Sequence, residues 1–171
     1  MPIFTPIPQE QFVAHVLALA DQIGVDSWAP SYLIGIGRGG LVPATFLSHA
    51  TGLPMLSVDY SSQVEEFAEG ALARLAARTQ GGDKLLFVDD INDTGGTIGR
   101  LRTILAEQGA VAGSIRFATL IDNVRSAQRV EYHAETIDRA ITKDWFVFPW
   151  EAVAPQSKLA DDAAAVPERT A

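Results

Sequence analysis

The segment Leu85-Leu86-Phe87-Val88-Asp89-Asp90-Ile91-Asn92-Asp93-Thr94-Gly95-Gly96-Thr97 constrains the fold more than any other part of the chain. Four apolar residues read as a buried strand, and two adjacent carboxylates stand where it ends. A turn rich in Asp, Thr and Gly follows, and a helix starts at about Ile98. Ligands of open α/β sheets bind at the carboxyl ends of strands. A Gly/Thr turn that feeds a helix N-terminus offers backbone N–H groups to an anion, and the helix dipole adds to the attraction. One loop thus supplies carboxylates for hydroxyls or a metal, and a nest for a phosphate. A sugar phosphate needs both. The bland alternative is an ordinary strand–turn–helix junction with a capping Asp.

The rest of the chain alternates in the same way. Gln9 to Ile23 predicts an amphipathic helix, with Phe12, Val13, Val16, Leu17, Leu19, Ala20 and Ile23 at helical spacing. Strands are expected at Tyr32–Ile36, Met55–Asp59, Lys84–Val88, Ser114–Ile121 and Trp145–Phe148. Helices are expected at Leu41–Thr51, ended by Gly52, and at Thr97–Gln108, closed by Gly109. Pro43 is tolerable in the first turn of its helix. This alternation predicts an α/β fold with a mainly parallel sheet flanked by helices. Residues 1–153 read as a single domain. Residues 154–171 are rich in Ala, Asp and Pro, lack apolar periodicity and read as a mobile tail.

Composition excludes several classes. The chain of 171 residues suits one sizeable core. It has no Cys, so neither disulfides nor a thiolate zinc site. No apolar run approaches the ~20 residues of a membrane span. Met1-Pro2-Ile3-Phe4 lacks the basic start of a secretory signal, and the cytoplasm is the expected location. A net charge of −8 argues against general nucleic-acid binding. An acidic chain that binds a polyanion relies on backbone nests, a few placed cations and Mg²⁺.

The first turn supports two readings. Gly35-Ile36-Gly37-Arg38-Gly39-Gly40 has the G-x-G-x-x-G spacing between a strand and a helix, and Asp59 lies 19 residues after Gly40. That fits a dinucleotide fingerprint. Arg38 is odd there, because such a cradle is built from backbone alone.

The run Leu85 to Thr97 resembles the PRPP-binding motif of the type I phosphoribosyltransferases. Gly37-Arg38-Gly39-Gly40-Leu41-Val42-Pro43-Ala44 is similar to the pyrophosphate loop of their xanthine/guanine branch, and Lys143-Asp144-Trp145-Phe146-Val147-Phe148-Pro149-Trp150-Glu151 to its base-binding segment. The resemblance covers about residues 30 to 151. It implies the type I fold, with a small hood formed by the terminal segments, and Mg²⁺ as cofactor. It implies PRPP and a nucleobase as substrates, pyrophosphate and a nucleotide as products, and a homodimer or homotetramer. PRPP would be held by Arg38, Gly39, Asp89, Asp90, Asp93, Thr94, Gly95, Gly96 and Thr97. Asp89 and Asp90 would meet the ribose hydroxyls and Mg²⁺, in part through water. Asp93 would take the proton of the base or hydrogen-bond to it. Trp145 would stack on the base, with Phe146 and Glu151 nearby. A cis peptide near Gly37–Arg38 is also implied.

The chain departs from this pattern at one point. Purine members carry a Lys after the strand that follows the PRPP helix, and it donates to the 6-oxo group. Here Asp122-Asn123-Val124-Arg125 stands there, leaving Asn123 or Arg125 as donors, or else a base other than a 6-oxopurine. Residues 64–78 read as a helix, and the resemblance makes the 60–82 region a mobile lid. Arg74 and Arg78 are then phosphate partners or, as the simpler reading, solvated charges. His15, His49 and His133 share no metal-ligand spacing and receive no catalytic role. Three functions compete: transfer of phosphoribosyl to a nucleobase, a non-catalytic PRPP or nucleotide sensor, and a dinucleotide-dependent oxidoreductase.

Overall fold

The computed structural model describes residues 3–60 and 66–165, with the side chains of 66–69 left aside. In chain order the elements are β1 (Phe4–Pro6), α1 (Gln9–Val25), β2 (Tyr32–Ile36), α2 (Gly37–Thr51), β3 (Met55–Val58), α3 (Glu66–Gln80) and β4 (Leu85–Asn92). After these come α4 (Gly96–Glu107), β5 (Ile115–Asn123), β6 (Tyr132–Ile137), β7 (Trp145–Val147), a 3-10 turn at Pro149–Glu151 and α5 (Gln156–Ala164). Strands β3-β2-β4-β5-β6, in that order, form one sheet in which every pairing is parallel. This is the expected α/β architecture, a parallel sheet flanked by helices.

Side-chain alternation splits the core into two layers. Leu33, Leu86, Val88, Ala118 and Leu120 face α1 and α2, and meet Phe12, Val16, Leu19, Ala44 and Leu47. Ile34, Ile36, Leu85, Phe87 and Phe117 face α3 and α4, and meet Leu72, Leu75, Ala76, Ile98, Leu101 and Leu105. Strands buried on both faces read as continuous apolar runs, which made β2, β4 and β5 visible in the sequence.

The hood is built from both ends of the chain. Strand β1 pairs in parallel with β7, Phe4 opposite Trp145 and Pro6 opposite Val147. Trp150 stacks on Phe148 (centroids 5.0 Å apart, 7° between planes) and meets the edge of Phe12 on α1 at 5.4 Å. These aromatic contacts fasten the hood over the sheet.

Several boundaries differ from expectation. Strand β4 runs through Asp89 and Asp90 to Asn92, because Asp89, Ile91 and Asn92 pair with Thr119, Ile121 and Asp122 of a β5 that is also longer. Helix α2 begins at Gly37, so Gly37–Gly40 is its first turn and Pro43 lies inside the helix. Among the described residues no peptide bond is cis; the chain turns at Gly37 with φ 51° instead. Residues 156–164, expected without regular structure, form a helix with Ala163 buried. Of the segment expected as a lid, residues 70–80 pack on the sheet, with Leu72 and Ala76 fully buried. Residues 61–65 of that segment, including Val64 where its helix is expected to start, lie outside the described residues. No described helix is long and apolar enough to cross a membrane.

Candidate active site

The strand order reverses between β2 and β4, which lie side by side in register, Gly35 opposite Val88. Chain connections diverge there, and the carboxyl ends of the two strands frame a crevice. Helix α2 starts at the end of β2, and the loop to α4 starts at the end of β4. Two helix N-termini therefore converge on one place.

Their approach depends on missing side chains. A Cβ on Gly40 would sit 2.0 Å from the Val88 carbonyl oxygen, and one on Gly39 would sit 2.6 Å from Asp90 Oδ2. Glycine at both positions lets the first turn of α2 rest on β4. This brings Gly39 against Asp90, and Arg38 on the same turn is exposed. Asp89 Oδ1 accepts the N–H of Asp90 at 3.0 Å, and Asp90 Oδ1 that of Ile91 at 2.7 Å.

The loop Asp93–Gly95 ends at α4, whose N-cap residue Gly95 has no side chain to cap it, and Thr94 Oγ1 accepts the Gly96 N–H at 3.3 Å. The first-turn N–H groups of a helix have no intrahelical acceptor, and Thr94 and Gly96 are exposed. The loop is braced from behind. Asn92 Nδ2 donates to Asp122 Oδ1 at 2.7 Å and to the Gln128 carbonyl at 2.8 Å, and Ser126 Oγ donates to Asn92 Oδ1 at 2.9 Å. Ala127 N–H donates to the Thr94 carbonyl at 3.1 Å.

A small cleft of about 100 Å³ lies beneath the hood and is lined by Asp90, Ile91, Asp93, Arg139, Trp145, Phe146, Phe148 and Glu151. It gathers two carboxylates of the β4 motif and all three residues assigned to the base. Glu151 accepts the Phe148 N–H at 3.0 Å. Burial pushes its carboxyl above the ordinary range and Asp162 adds to this; the Phe148 N–H and Arg38 act the other way.

Arg139 carried no signal in the sequence: it is a lone arginine after a strand too polar to be recognised. Its guanidinium grips Asp93, with Nε at 3.0 and 3.1 Å from the two oxygens and Nη2 at 2.8 Å from Oδ2. Both side chains are buried, 8% and 2% exposed. Asn123 Nδ2 donates to the Asp93 carbonyl at 3.0 Å instead of reaching the cleft. Arg125 pairs with Asp138. Asn123 and Arg125 line a neighbouring groove with Thr94 and Lys143. Arg78 pairs with Asp83 at 3.1 Å and covers the Tyr32 ring.

Comparison with known proteins decides between the three readings. The family model "Phosphoribosyl transferase domain" matches residues 8–156. The chain belongs to this family. It is therefore a transferase, and neither the sensor nor the oxidoreductase reading is supported. The chain is 27% identical over 152 residues to a xanthine-guanine phosphoribosyltransferase of Nitratidesulfovibrio vulgaris, covering 86% of this chain and 84% of that one. Its fold is similar to a purine phosphoribosyltransferase from Pyrococcus horikoshii (TM-score 0.63, 23% identity, 89% and 97% covered). It is also similar to the Helicobacter pylori xanthine-guanine-hypoxanthine phosphoribosyltransferase (TM-score 0.66, 18% identity, 94% and 99% covered). The glycines of the G-x-G-x-x-G spacing serve packing here: a Cβ on Gly35 would sit 3.1 Å from Leu41 Cα. Asp59 is exposed at the end of β3.

Proposed function

We propose that this phosphoribosyltransferase moves the 5-phosphoribosyl group of PRPP onto a ring nitrogen of a purine base. The C1′–oxygen bond to pyrophosphate breaks, the nitrogen–C1′ bond forms, and the proton leaves the base. One observation carries the reading: Asp90 and Asp93 share a single cleft with Trp145, Phe146 and Glu151 where two helix N-termini converge. The names of the relatives favour a purine.

Each part has a task. The Asp93–Thr97 loop holds the 5′-phosphate through its backbone N–H groups and the dipole of α4. Asp89 and Asp90 accept the ribose 2′- and 3′-hydroxyls. Arg38 and the first turn of α2 receive the departing pyrophosphate, whose growing negative charge meets fixed dipoles. Trp145 stacks on the base, and Asp93 accepts its proton or its N–H hydrogen bond.

Mg²⁺ fits this donor set. Among the described residues no three His, Asp or Glu side chains form a metal cluster. Mg²⁺ is typically held by one or two carboxylates plus substrate phosphates, and Asp89 and Asp90 are the pair available. When bound, it would neutralise charge on the leaving pyrophosphate.

The test is pyrophosphate release from PRPP and Mg²⁺ with hypoxanthine, guanine, xanthine, adenine or uracil, with the nucleotide product identified. Turnover of a purine is expected. Failure with every base would overturn the reading.

A further inference from the structure

Behind the loop that enters α4, one side chain lies against two glycines. A Cβ on Gly95 would sit 2.7 Å from the Gln128 backbone nitrogen and 3.0 Å from Gln128 Cγ. One on Gly99 would sit 3.2 Å from Gln128 Nε2 and 3.4 Å from its Cδ. Gly95, at φ 89°, turns the chain into the helix, and Gly99 donates its N–H to the Gly95 carbonyl at 2.9 Å. Gln128 therefore touches both ends of the first helical turn. Its own position is fixed at several atoms. Its N–H donates to Ser126 Oγ at 3.2 Å, and its carbonyl accepts Asn92 Nδ2 at 2.8 Å. Arg102 Nη1 donates to Gln128 Oε1 at 2.9 Å, and Arg102 Nη2 to the Arg129 carbonyl at 2.8 Å. Arg102 stands three residues after Gly99, on the same face of α4. The helix thus grips the segment that supports its own start.

We propose that Gln128, held by Arg102, is a positioning residue for the 5′-phosphate: it fixes the Gly95–Gly99 turn so that the N–H groups of that turn converge on one anion. The inference rests on the reading above, in which this loop holds the 5′-phosphate, and it adds a residue that acts through the loop. Gly95, Gly96 and Gly99 are three of the five residues of the turn. Glycine loses more conformational freedom on ordering than any other residue. A nest of N–H groups that must be ordered by its ligand gives up part of its affinity, whereas one ordered beforehand keeps it. The face toward the phosphate has to stay open, so the support comes from behind, where Gln128 stands. Arg102 sets the orientation of the Gln128 amide, and its planar fork is bonded through both terminal nitrogens, which leaves the amide little room to swing.

The experiment measures two affinities by calorimetry. Ribose 5-phosphate reads the 5′-phosphate end of the site, and Mg·pyrophosphate reads the Arg38 end. In Gln128→Ala the Kd for ribose 5-phosphate should rise about tenfold, as for a binding group displaced by part of an ångström, with the Kd for Mg·pyrophosphate within about twofold. Gly99→Ala disturbs the same contact from the other side, by pressing a methyl on the Gln128 amide. Alanine favours a helix over glycine, so this variant should keep its Tm while it binds ribose 5-phosphate severalfold more weakly. A loss of affinity without a loss of stability is what a merely structural role would not produce. Unchanged affinity for ribose 5-phosphate in either folded variant, or equal weakening of both ligands, would overturn the inference and leave the transferase reading intact. Where Gln128→Ala does not fold, Gly99→Ala decides by the same two comparisons. A wild type that fails to bind ribose 5-phosphate would defeat the assignment of the loop, and this inference with it. Absence of turnover with every base, alongside the expected affinities, would defeat the purine reading alone.

Discussion

Gly39 on α2 and Asp90 on β4 lie so close that a single added methyl on the glycine would stand 2.6 Å from Asp90 Oδ2. This closeness joins the two anion loops into one site. It also separates two neighbouring substitutions. Gly39→Ala meets a side chain that can rotate, so the protein should fold and bind Mg·PRPP about tenfold more weakly, or ~1.4 kcal/mol. Gly40→Ala meets the Val88 carbonyl at 2.0 Å, which cannot yield without moving β4. It should cost ~3 kcal/mol or more as overpacking. Thermal unfolding and calorimetry on both variants check the contrast; equal stability would count against it.

The carboxylate pair gives a second expectation. Asp89→Asn with Asp90→Asn removes two charged acceptors from the ribose hydroxyls. Hydrogen bonds to charged groups are worth ~1.5–3 kcal/mol each, so affinity for Mg·PRPP should fall by at least tenfold. Unchanged affinity in the folded double variant would remove the pair from the ribose site.

Trp145 is half-buried, with its backbone in the hood strand and its side chain on the cleft. Trp145→Ala should raise the KM for the base about tenfold and leave PRPP affinity nearly intact, since aromatic stacking on a base is worth ~1–3 kcal/mol. A large fall in Tm with an unchanged KM would instead make Trp145 a packing residue.

Far from the cleft, Asp26 ties the end of α1 to the sheet. Its carboxylate accepts the Trp28 N–H at 2.7 Å, Arg116 Nη1 at 2.6 Å and the Tyr132 hydroxyl at 2.9 Å. The Trp28 N–H comes first among the causes that hold its pKa below the ordinary 3.8, followed by Tyr132 and Arg116. A carboxyl with a lowered folded pKa stabilises the protein above its unfolded value, and that contribution fades as pH falls through the folded value. Acid titration of stability should therefore show a component lost below about pH 4 that is missing in Asp26→Asn. Identical acid limbs in the two proteins would contradict this.

The legible part of the fold was the part with two buried faces. β2, β4 and β5 announce themselves as apolar runs, and the loops after β2 and β4 carry Gly, Thr and Asp in patterns with a chemical reason. Of the edge and hood strands, β3 and β7 were legible and β6 and β1 were not. β6 (Tyr-His-Ala-Glu-Thr-Ile) is mostly polar, and β1 is three residues long and ends in proline. Polar residues inside β4 and β5, such as Asn92 and Asp122, look like strand ends until their mutual hydrogen bond is known. Arg139 stayed hidden for the same reason: its importance comes from Asp93, 46 residues earlier, and no local pattern links them.

That long-range pair makes Asp93 the most informative single position. As the group that receives the proton of the base, its replacement by Asn should lower kcat by ~10²–10⁴-fold with little change in PRPP affinity. Both its oxygens already accept from Arg139, so the same substitution also strands a buried cation. Breaking a buried ion pair from one side typically costs ~3–5 kcal/mol. At ~2–4 °C per kcal/mol for a chain of this size, Tm should fall by roughly 6–20 °C. A double-mutant cycle with Arg139→Gln separates the two effects. The stability losses should be strongly non-additive, because once Asp93 is neutral the cation has nothing left to compensate. Additive losses would show that the pair is energetically idle. The loss of kcat should persist in the double variant, since neutralising Arg139 restores the fold and not the acceptor. Recovery of kcat along with Tm would make Asp93 a positioning residue rather than the acceptor of the proton.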